Sequence, residues 1–310
     1  MVVGSINIDL VATSSHIPFV GETIIGTDFQ IHPGGKGANQ AVAVGRLGYP
    51  VHMIGRIGSD AFGSQLVANL HSAGVDCSGV AISEGASGVA VILVSEQGEN
   101  CIVVAPGANA KVTPRDVDAN LAVIRQAGIV LAQLEIPVET VEHLAEVCDR
   151  ERIPLILDPA PARPLSGKLL QSVTWLTPNE SEAALYCGAN GSIEAWEDPE
   201  TAAQRIKSGG SNGVVLKLGA RGAFVASTKQ KGELVPAFQV RAVDTTAAGD
   251  AFNGAFATAL MLGQSPGESA RFGAAAAAIS VTRPGAQPSM PTFDEVQELI
   301  NSHSVQAKSA

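Results

Sequence analysis

From about Asp60 onward, short β-branched runs alternate along the chain with stretches of helical spacing. Gly128–Leu131, Pro154–Leu157, Val173–Leu176 and Val214–Leu218 read as strands, and the segments between them read as helices. This alternation predicts an α/β fold: a mostly parallel sheet with helices on both faces. Two segments break the pattern. Between about Leu10 and Gln30, and again from Gly88 to Val104, apolar and polar residues alternate, glycines punctuate, and no helix separates successive runs. They read as two antiparallel insertions. Ala251–Met261, Glu268–Val281 and Phe293–Ile300 carry helical spacing, so the chain is expected to close in a helix cluster, with 303–310 as a frayed tail. The Pro-rich stretch Asp158–Pro164 reads as a loop after a strand. The Ala-rich runs are interrupted before the roughly 18 residues a membrane helix requires, and no membrane partner is expected.

Charge narrows the partners further. The 310 residues include 20 Lys and Arg against 30 Asp and Glu, a net charge of -10 that repels nucleic-acid backbones and anionic lipid. No Lys or Arg precedes Lys36, so the basic start of a secretory signal is absent and a cytoplasmic protein is expected. Cys77, Cys101, Cys148 and Cys187 are too scattered for a disulfide framework or a Cys-x-x-Cys site.

Several familiar motifs fail. Gly35-Lys36 lacks the preceding glycine and the following Ser or Thr of a Walker loop, and Gln40 stands where a dinucleotide fingerprint needs Gly or Ala. Gly209–Gly213 matches Gly-x-Ser-x-Gly but precedes a strand, so it reads as a turn rather than a nucleophile elbow. His-Glu-x-x-His does not occur.

The segment Asp244-Thr245-Thr246-Ala247-Ala248-Gly249-Asp250 is more informative. Small residues at Ala247, Ala248 and Gly249, just before a helical run, leave N–H groups free to converge on an anion, a phosphate cradle without a lysine. Asp250 in the first turn suits a general base, although an aspartate there also reads as a helix cap. Gly34-Gly35-Lys36-Gly37-Ala38-Asn39 allows close approach to a ligand, with Lys36 and Asn39 as donors, or forms a plain turn with a solvated lysine. Asn7 and Asp9, two apart after a short strand, share a face. Asn179 and Glu182 either hold a hydrated Mg²⁺ or cap a helix with an acidic first turn.

The combination GSINID, GGKGANQA, QLEIP, DPAPA, TPNESE, KLGARG, DTTAAGDAFNG and VTRPGAQPS resembles the ribokinase-like, phosphofructokinase-B type carbohydrate kinases, collinearly from residue 1 to about 300. The resemblance implies a Rossmann-like core (1–8, 37–85 and 107–302), a β lid (9–36 and 86–106) and a homodimer joined through the lid. It implies ATP-dependent phosphorylation of D-ribose at O5, with kinases of deoxyribose, nucleosides or other small sugars as neighbours. A non-catalytic sugar-binding regulator is the alternative of another class; an intact Asp250 beside a glycine-rich cradle argues against it. By the same resemblance Asn7, Asp9, Gly35, Lys36, Asn39 and Glu135 bind the sugar, and Asp250 is the base. Ala247, Ala248 and Gly249 form the anion hole, and Asn179, Lys217 and Gly219 meet the nucleotide. Glu182 serves Mg²⁺ through water, while Asp244, Thr246, Ser280, Arg283, Gly285 and Ser289 surround K⁺, mostly through carbonyls. Lys217 departs from the Thr usual in the family.

Overall fold

In the computed structural model, which describes residues 1–187 and 198–306 apart from the side chains of 304–306, adjacent strand residues serve opposite cores. Val2 and Met53 join one apolar cluster with Ala41, Phe256 and Phe272, while Val3 and Ile54 join another with Leu144, Leu155 and Ile206. A strand alternates its side chains across the sheet, so this division means helices cover both faces.

Along the chain, β1 (Val2–Val3) leads into β2 (Asn7–Ser14) and β3 (Asp28–Gly34), then α1 (Lys36–Arg46), β4 (Val51–Gly58), α2 (Ala61–Ser72) and β5 (Val75–Ser83). The hairpin β6 (Gly88–Ser95) and β7 (Asn100–Ala105) follows. Next come α3 (Pro114–Ala119), α4 (Leu121–Ile124), β8 (Val130–Ala132), α5 (Val138–Glu151), β9 (Leu155–Leu157), α6 (Gly167–Ser172) and β10 (Trp175–Leu176). After α7 (Glu180–Tyr186), α8 (Pro199–Ser208), β11 (Gly213–Lys217), β12 (Ala223–Ser227) and β13 (Glu233–Val235), the chain ends in α9 (Ala248–Met261), α10 (Pro266–Ser280) and α11 (Phe293–Gln306).

Among the described residues the strands form a nine-stranded sheet, β13-β12-β11-β10-β9-β8-β1-β4-β5, and a four-stranded sheet, β3-β2-β6-β7. The larger sheet is parallel from β11 to β5, and β12 and β13 run antiparallel at its edge. The smaller sheet departs from a purely antiparallel reading. Its two hairpins are antiparallel, but β2 and β6 pair in parallel from Asn7–Gly88 to Ser14–Ser95. The reason is directional: β1 and β5 are parallel, and β2 and β6 continue from their carboxyl ends. Sheet pairing also begins at Asn7 rather than Asp9. The expected tail is shorter too, since α11 runs through Gln306 and the His303 ring packs edge-on to Phe238 at 4.9 Å; residues 307–310 lie outside the description. No helix among the described residues is long and apolar enough to cross a membrane.

Ser5, Glu135, Asp158, Thr177 and Lys217 all lie at or just beyond carboxyl ends of parallel strands. Open α/β sheets place their ligands in that crevice.

Candidate active site

The glycine-rich turn is held by its own backbone. Gly35 has φ 87°, and a methyl group there would lie 2.7 Å from the Asn7 nitrogen. Only glycine combines that dihedral with that approach. Beyond it, the first turn of α1 donates to nearby acceptors: Lys36 N to Glu135 Oε2 at 3.0 Å, Gly37 N to Ser5 Oγ at 3.3 Å and Ala38 N to the Ser5 carbonyl at 2.9 Å. Ser5 Oγ also donates to Glu135 Oε2. One Glu135 oxygen therefore anchors the turn at the positive end of α1.

Asn7 and Asp9 share a face of β2, as their spacing implies. Asn7 is buried, and its Oδ1 accepts from Asn109 Nδ2 at 2.6 Å. Asn109 also accepts from the Ile6 N–H at 2.9 Å, so it fixes the strand where the lid begins. The Asp9 carboxylate sits over Gly34, which has no room for a side chain. Burial, followed by the charges of Glu135 and Asp250, pushes its pKa up to about 7.

Asp250 is buried at the third position of α9. Its Oδ2 accepts from Asn39 Nδ2 and its Oδ1 from Gln40 Nε2, both at 3.0 Å. The same Gln40 nitrogen donates to Asp158 Oδ2 at 3.0 Å, while Gln133 Nε2 donates to Gln40 Oε1 at 2.7 Å and fixes the amide's direction. Asn39 is fixed likewise, because Gln287 Nε2 donates to its Oδ1 at 3.1 Å and Asn69 donates to Gln287. Burial raises the Asp250 carboxyl above its ordinary value, opposed by Lys36, reinforced by Asp158, and opposed again by the Asn39 and Gln40 donors.

α9 starts without a side-chain cap. Ala247, its N-cap, adopts φ 58°, a left-handed conformation costly for a residue with a Cβ. Asp250 does not cap the helix; its carboxylate turns to α1 instead. The N–H groups of Gly249 and Asp250, in the first turn, have no intrahelical acceptor and remain available to an anion.

A cavity of about 530 Å³ opens in front of this turn. It brings together Lys36, Asn179, Glu182, Lys217, Gly219, Ala247, Ala248, Gly249 and Asp250. Part of its lining is apolar, with Ala237, Phe238, Val240, Ala274, Ala277 and Ala278, side chains of the kind that pack against a heterocycle. Asn7, Asp9, Gly35, Asn39 and Glu135 do not line this cavity; they adjoin it through the Asn39–Asp250 bond and the charges around Lys36. Burial alone would lower the Lys36 ammonium, but the carboxylates of Asp250, Asp158, Glu135 and Glu182 hold it above its ordinary value.

Asn179 and Glu182 form a reciprocal cap on α7. Asn179 Oδ1 accepts from Glu182 N at 2.8 Å, and Glu182 Oε2 accepts from Asn179 N at 2.8 Å. The capping reading therefore holds in the protein, and Glu182 still faces the cavity. Its carboxyl is raised by burial, against the pull of Lys217 and with the push of Asp158. Among the described residues no group of three or more His, Cys, Asp or Glu could enclose a metal directly. Asp158 and Glu182 both line the cavity, and their carboxylates would serve a Mg²⁺ through its water shell rather than directly.

A cradle without a lysine is not what the structure contains. Lys217 Nζ lies 2.9 Å from Asp158 Oδ1, and a methyl group at Gly249 would be 3.3 Å from it. Sequence distance hid this contact.

Behind the cradle, Asp244 ties two loops together. Its Oδ1 accepts from Thr246 N at 2.9 Å and its Oδ2 from Gly285 N at 2.8 Å. Burial would raise this carboxyl, yet bonds from Thr246 and Gly285 hold it below its ordinary value. The Val281 carbonyl accepts from the N–H groups of Val243 and Asp244. The Arg283 guanidinium turns away to Glu295, and the Ser280 and Ser289 hydroxyls bond to the Ala277 and Ala286 carbonyls. What these residues can offer a cation is a carboxylate and main-chain carbonyls, hard oxygens that suit K⁺.

The motifs contained Gln40, Gln133, Asp158 and Gln287 without assigning them work, and Asn109 lay outside them all. The signal available was that the first four of these residues sit inside the glycine- and proline-bearing motifs already singled out. The alanines of the apolar lining looked like ordinary buried helix.

This chain belongs to the pfkB family of carbohydrate kinases, whose model matches residues 1–293. It is similar to the ribokinase of Haemophilus influenzae, 43% identical over 300 residues that cover 96% of this chain and 97% of the relative. Among solved structures it resembles the ribokinase of Thermotoga maritima, 40% identical with a TM-score of 0.89, covering 97% of this chain and 98% of the other. It also resembles the Arabidopsis thaliana ribokinase complexed with ribose and ATP, 36% identical with a TM-score of 0.89, covering 96% and 97%.

Proposed function

We propose that the protein transfers the γ-phosphoryl group of ATP to O5 of D-ribose, giving ADP and D-ribose 5-phosphate. The observation that carries this reading is the placement of Asp250. It is a buried carboxylate with its pKa raised, held by two fixed amides, between a lid strand bearing a diol-sized acceptor and a cavity of nucleotide size.

The 5-hydroxyl gives its proton to Asp250 as its oxygen forms the new bond to phosphorus, and the bridging oxygen leaves with ADP. The free N–H groups of the Ala247–Asp250 turn stabilise charge on the group in flight. Asn7, Asp9, Gly35, Lys36, Asn39 and Glu135 hold the sugar; Asn179, Lys217 and Gly219 face the polyphosphate, with the base against the apolar lining. Asp158 and Glu182 would hold the waters of Mg²⁺, which when bound neutralises charge on the phosphates. ATP consumption measured against ribose, 2-deoxyribose, hexoses and nucleosides tests the reading. Ribose should give the highest kcat/KM; turnover of adenosine alone, or of no substrate, would overturn it.

The loops joined by Asp244 are proposed to bind K⁺ through Asp244 and carbonyls of Thr246, Ser280, Arg283, Gly285 and Ser289. The ion would fix the turn that precedes α9 without touching substrate, so it should raise kcat more than it lowers KM. Rates in K⁺ and in tetramethylammonium buffer should differ for the wild type and converge for Asp244→Ala; equal wild-type rates would reject the site.

The lid face opposite Asn7 and Asp9 carries Leu10, Phe29, Ile31, Val91 and Val103, which the register aligns across the four strands. Phe29, Ile31, Val91 and Val103 are exposed. A second copy of this chain is the proposed occupant, and the mass of the protein in solution decides it. The proposed compartment is the cytoplasm; no disulfide joins the described cysteines.

A further inference from the structure

We infer that Lys217 is a catalytic residue of the transfer step: its ammonium leaves Asp158 for the γ-phosphoryl group when ATP binds, and stays on that group as it moves. This rests on the kinase reading above and adds a second cation to it.

Position comes first. Lys217 closes β11, and its main chain is held by a bond from its N–H to the Pro178 carbonyl at 2.9 Å. The side chain crosses the cavity floor to the first turn of α9, where Gly249 offers no side chain in its way. Its Nζ is therefore beside the same turn whose N–H groups are free and whose third residue is Asp250. A phosphoryl group seated on those N–H groups would be within reach of the ammonium.

Charge supplies the second argument. Two lysines and three carboxylates, Asp158, Glu182 and Asp250, line the cavity. Lys36 starts α1, lines the same cavity and feels the charges of Asp250, Asp158, Glu135 and Glu182. It is the first cation there, and the carboxylates still outnumber the lysines. A polyphosphate entering between Glu182 and Asp158 would meet net repulsion unless a cation could turn toward it. Lys217 has one ion-pair partner, Asp158 Oδ1, and its side chain is 13% exposed, toward the nucleotide cavity. Asp158 does not lose its support in the exchange, since Gln40 still donates to its other oxygen.

Lys217 remains an ammonium throughout and forms no covalent bond. The proton of the 5-hydroxyl goes to Asp250, and the electron pair of the broken bond goes with ADP.

Lys217→Gln tests this, because glutamine can still donate to Asp158 but carries no charge; Lys217→Arg restores the charge. Removing a transition-state donor should lower kcat of Lys217→Gln at least about tenfold, with the ribose KM within about threefold of wild type and partial recovery in Lys217→Arg. Calorimetry separates this from a structural role. Affinity for the β,γ-imido analogue of ATP should fall about tenfold while that for ADP stays within about twofold, because only the analogue has a group at the γ position. A kcat within about threefold of wild type, or equal weakening of both nucleotides, would make Lys217 merely the partner of Asp158 and overturn the inference. If Lys217→Gln does not fold, Lys217→Gln/Asp158→Asn leaves no uncompensated buried carboxylate, and its discrimination between the analogue and ADP is compared with that of Asp158→Asn. Failure of the parent reading is distinct: the wild type itself then turns over no sugar, and both fall.

Discussion

Asp250→Asn is expected to lower kcat by about 10²- to 10⁴-fold, the range for loss of a general base, and to leave the fold intact. Asparagine keeps the shape and the one acceptor oxygen that can still receive Asn39 or Gln40, but its amide cannot take the hydroxyl proton. The pH dependence identifies the group. Wild-type kcat should fall as pH drops through the Asp250 pKa, and that limb should lie above the ordinary carboxylate range because burial raises it. Folding is linked with the opposite sense: the native state holds this proton more tightly than the unfolded chain, so ionisation of Asp250 removes stability as pH rises. The melting temperature of Asp250→Asn relative to wild type should therefore increase from acid to neutral pH. Rapid-quench measurement of the transfer step, with melting curves on the same preparations, checks both; a variant keeping more than half its activity takes Asp250 out of the mechanism.

The second large effect is expected at Asp9. A carboxylate presents two oxygens, which suits the adjacent 2- and 3-hydroxyls of a furanose. Each hydroxyl removed leaves part of a half-buried acceptor unpaired once the sugar has displaced its water, so ribose should exceed 2-deoxyribose in kcat/KM by roughly tenfold to a hundredfold. Asp9→Ala removes both contacts, and its kcat/KM for ribose should drop by about 10²-fold or more, with deoxyribose affected far less. Since the Asp9 carboxyl is pushed up to about 7, ribose affinity should weaken as the pH falls below that value. Equal use of the two sugars by wild type, or equal damage to both in the variant, means that Asp9 does not read the diol.

What the chain revealed beforehand was what local pattern can carry. Buried strands such as β9 and β11 are short apolar runs, and α9 and α10 announce themselves by spacing and small residues. The cap joining Asn179 to Glu182 was legible because both partners sit within one turn. Gln40 was not, since its carboxylate partners lie 118 and 210 positions away. Nor was the bond from Gln287 to Asn39, across 248 positions. Such contacts depend on how α1, α9 and the strand ends meet, and periodicity holds no record of that. Lys217 belongs to the same class: one strand end brings it to Asp158 and another element brings Gly249 to it.

The parallel pairing of β2 with β6 bears on when this molecule can assemble. A hairpin can close as soon as its turn has been made, but β2 finds one neighbour only after β4, α2 and β5 are in place to deliver β6 alongside it. The Ile6 amide and its acceptor on Asn109 are 103 positions apart. Closing that distance costs chain entropy before any contact repays it, which makes the lid a late structure in folding rather than a nucleus. While the chain is being made, β2 and β3 wait as an exposed hairpin with an open edge, the state in which pairing with another copy competes with the native partner.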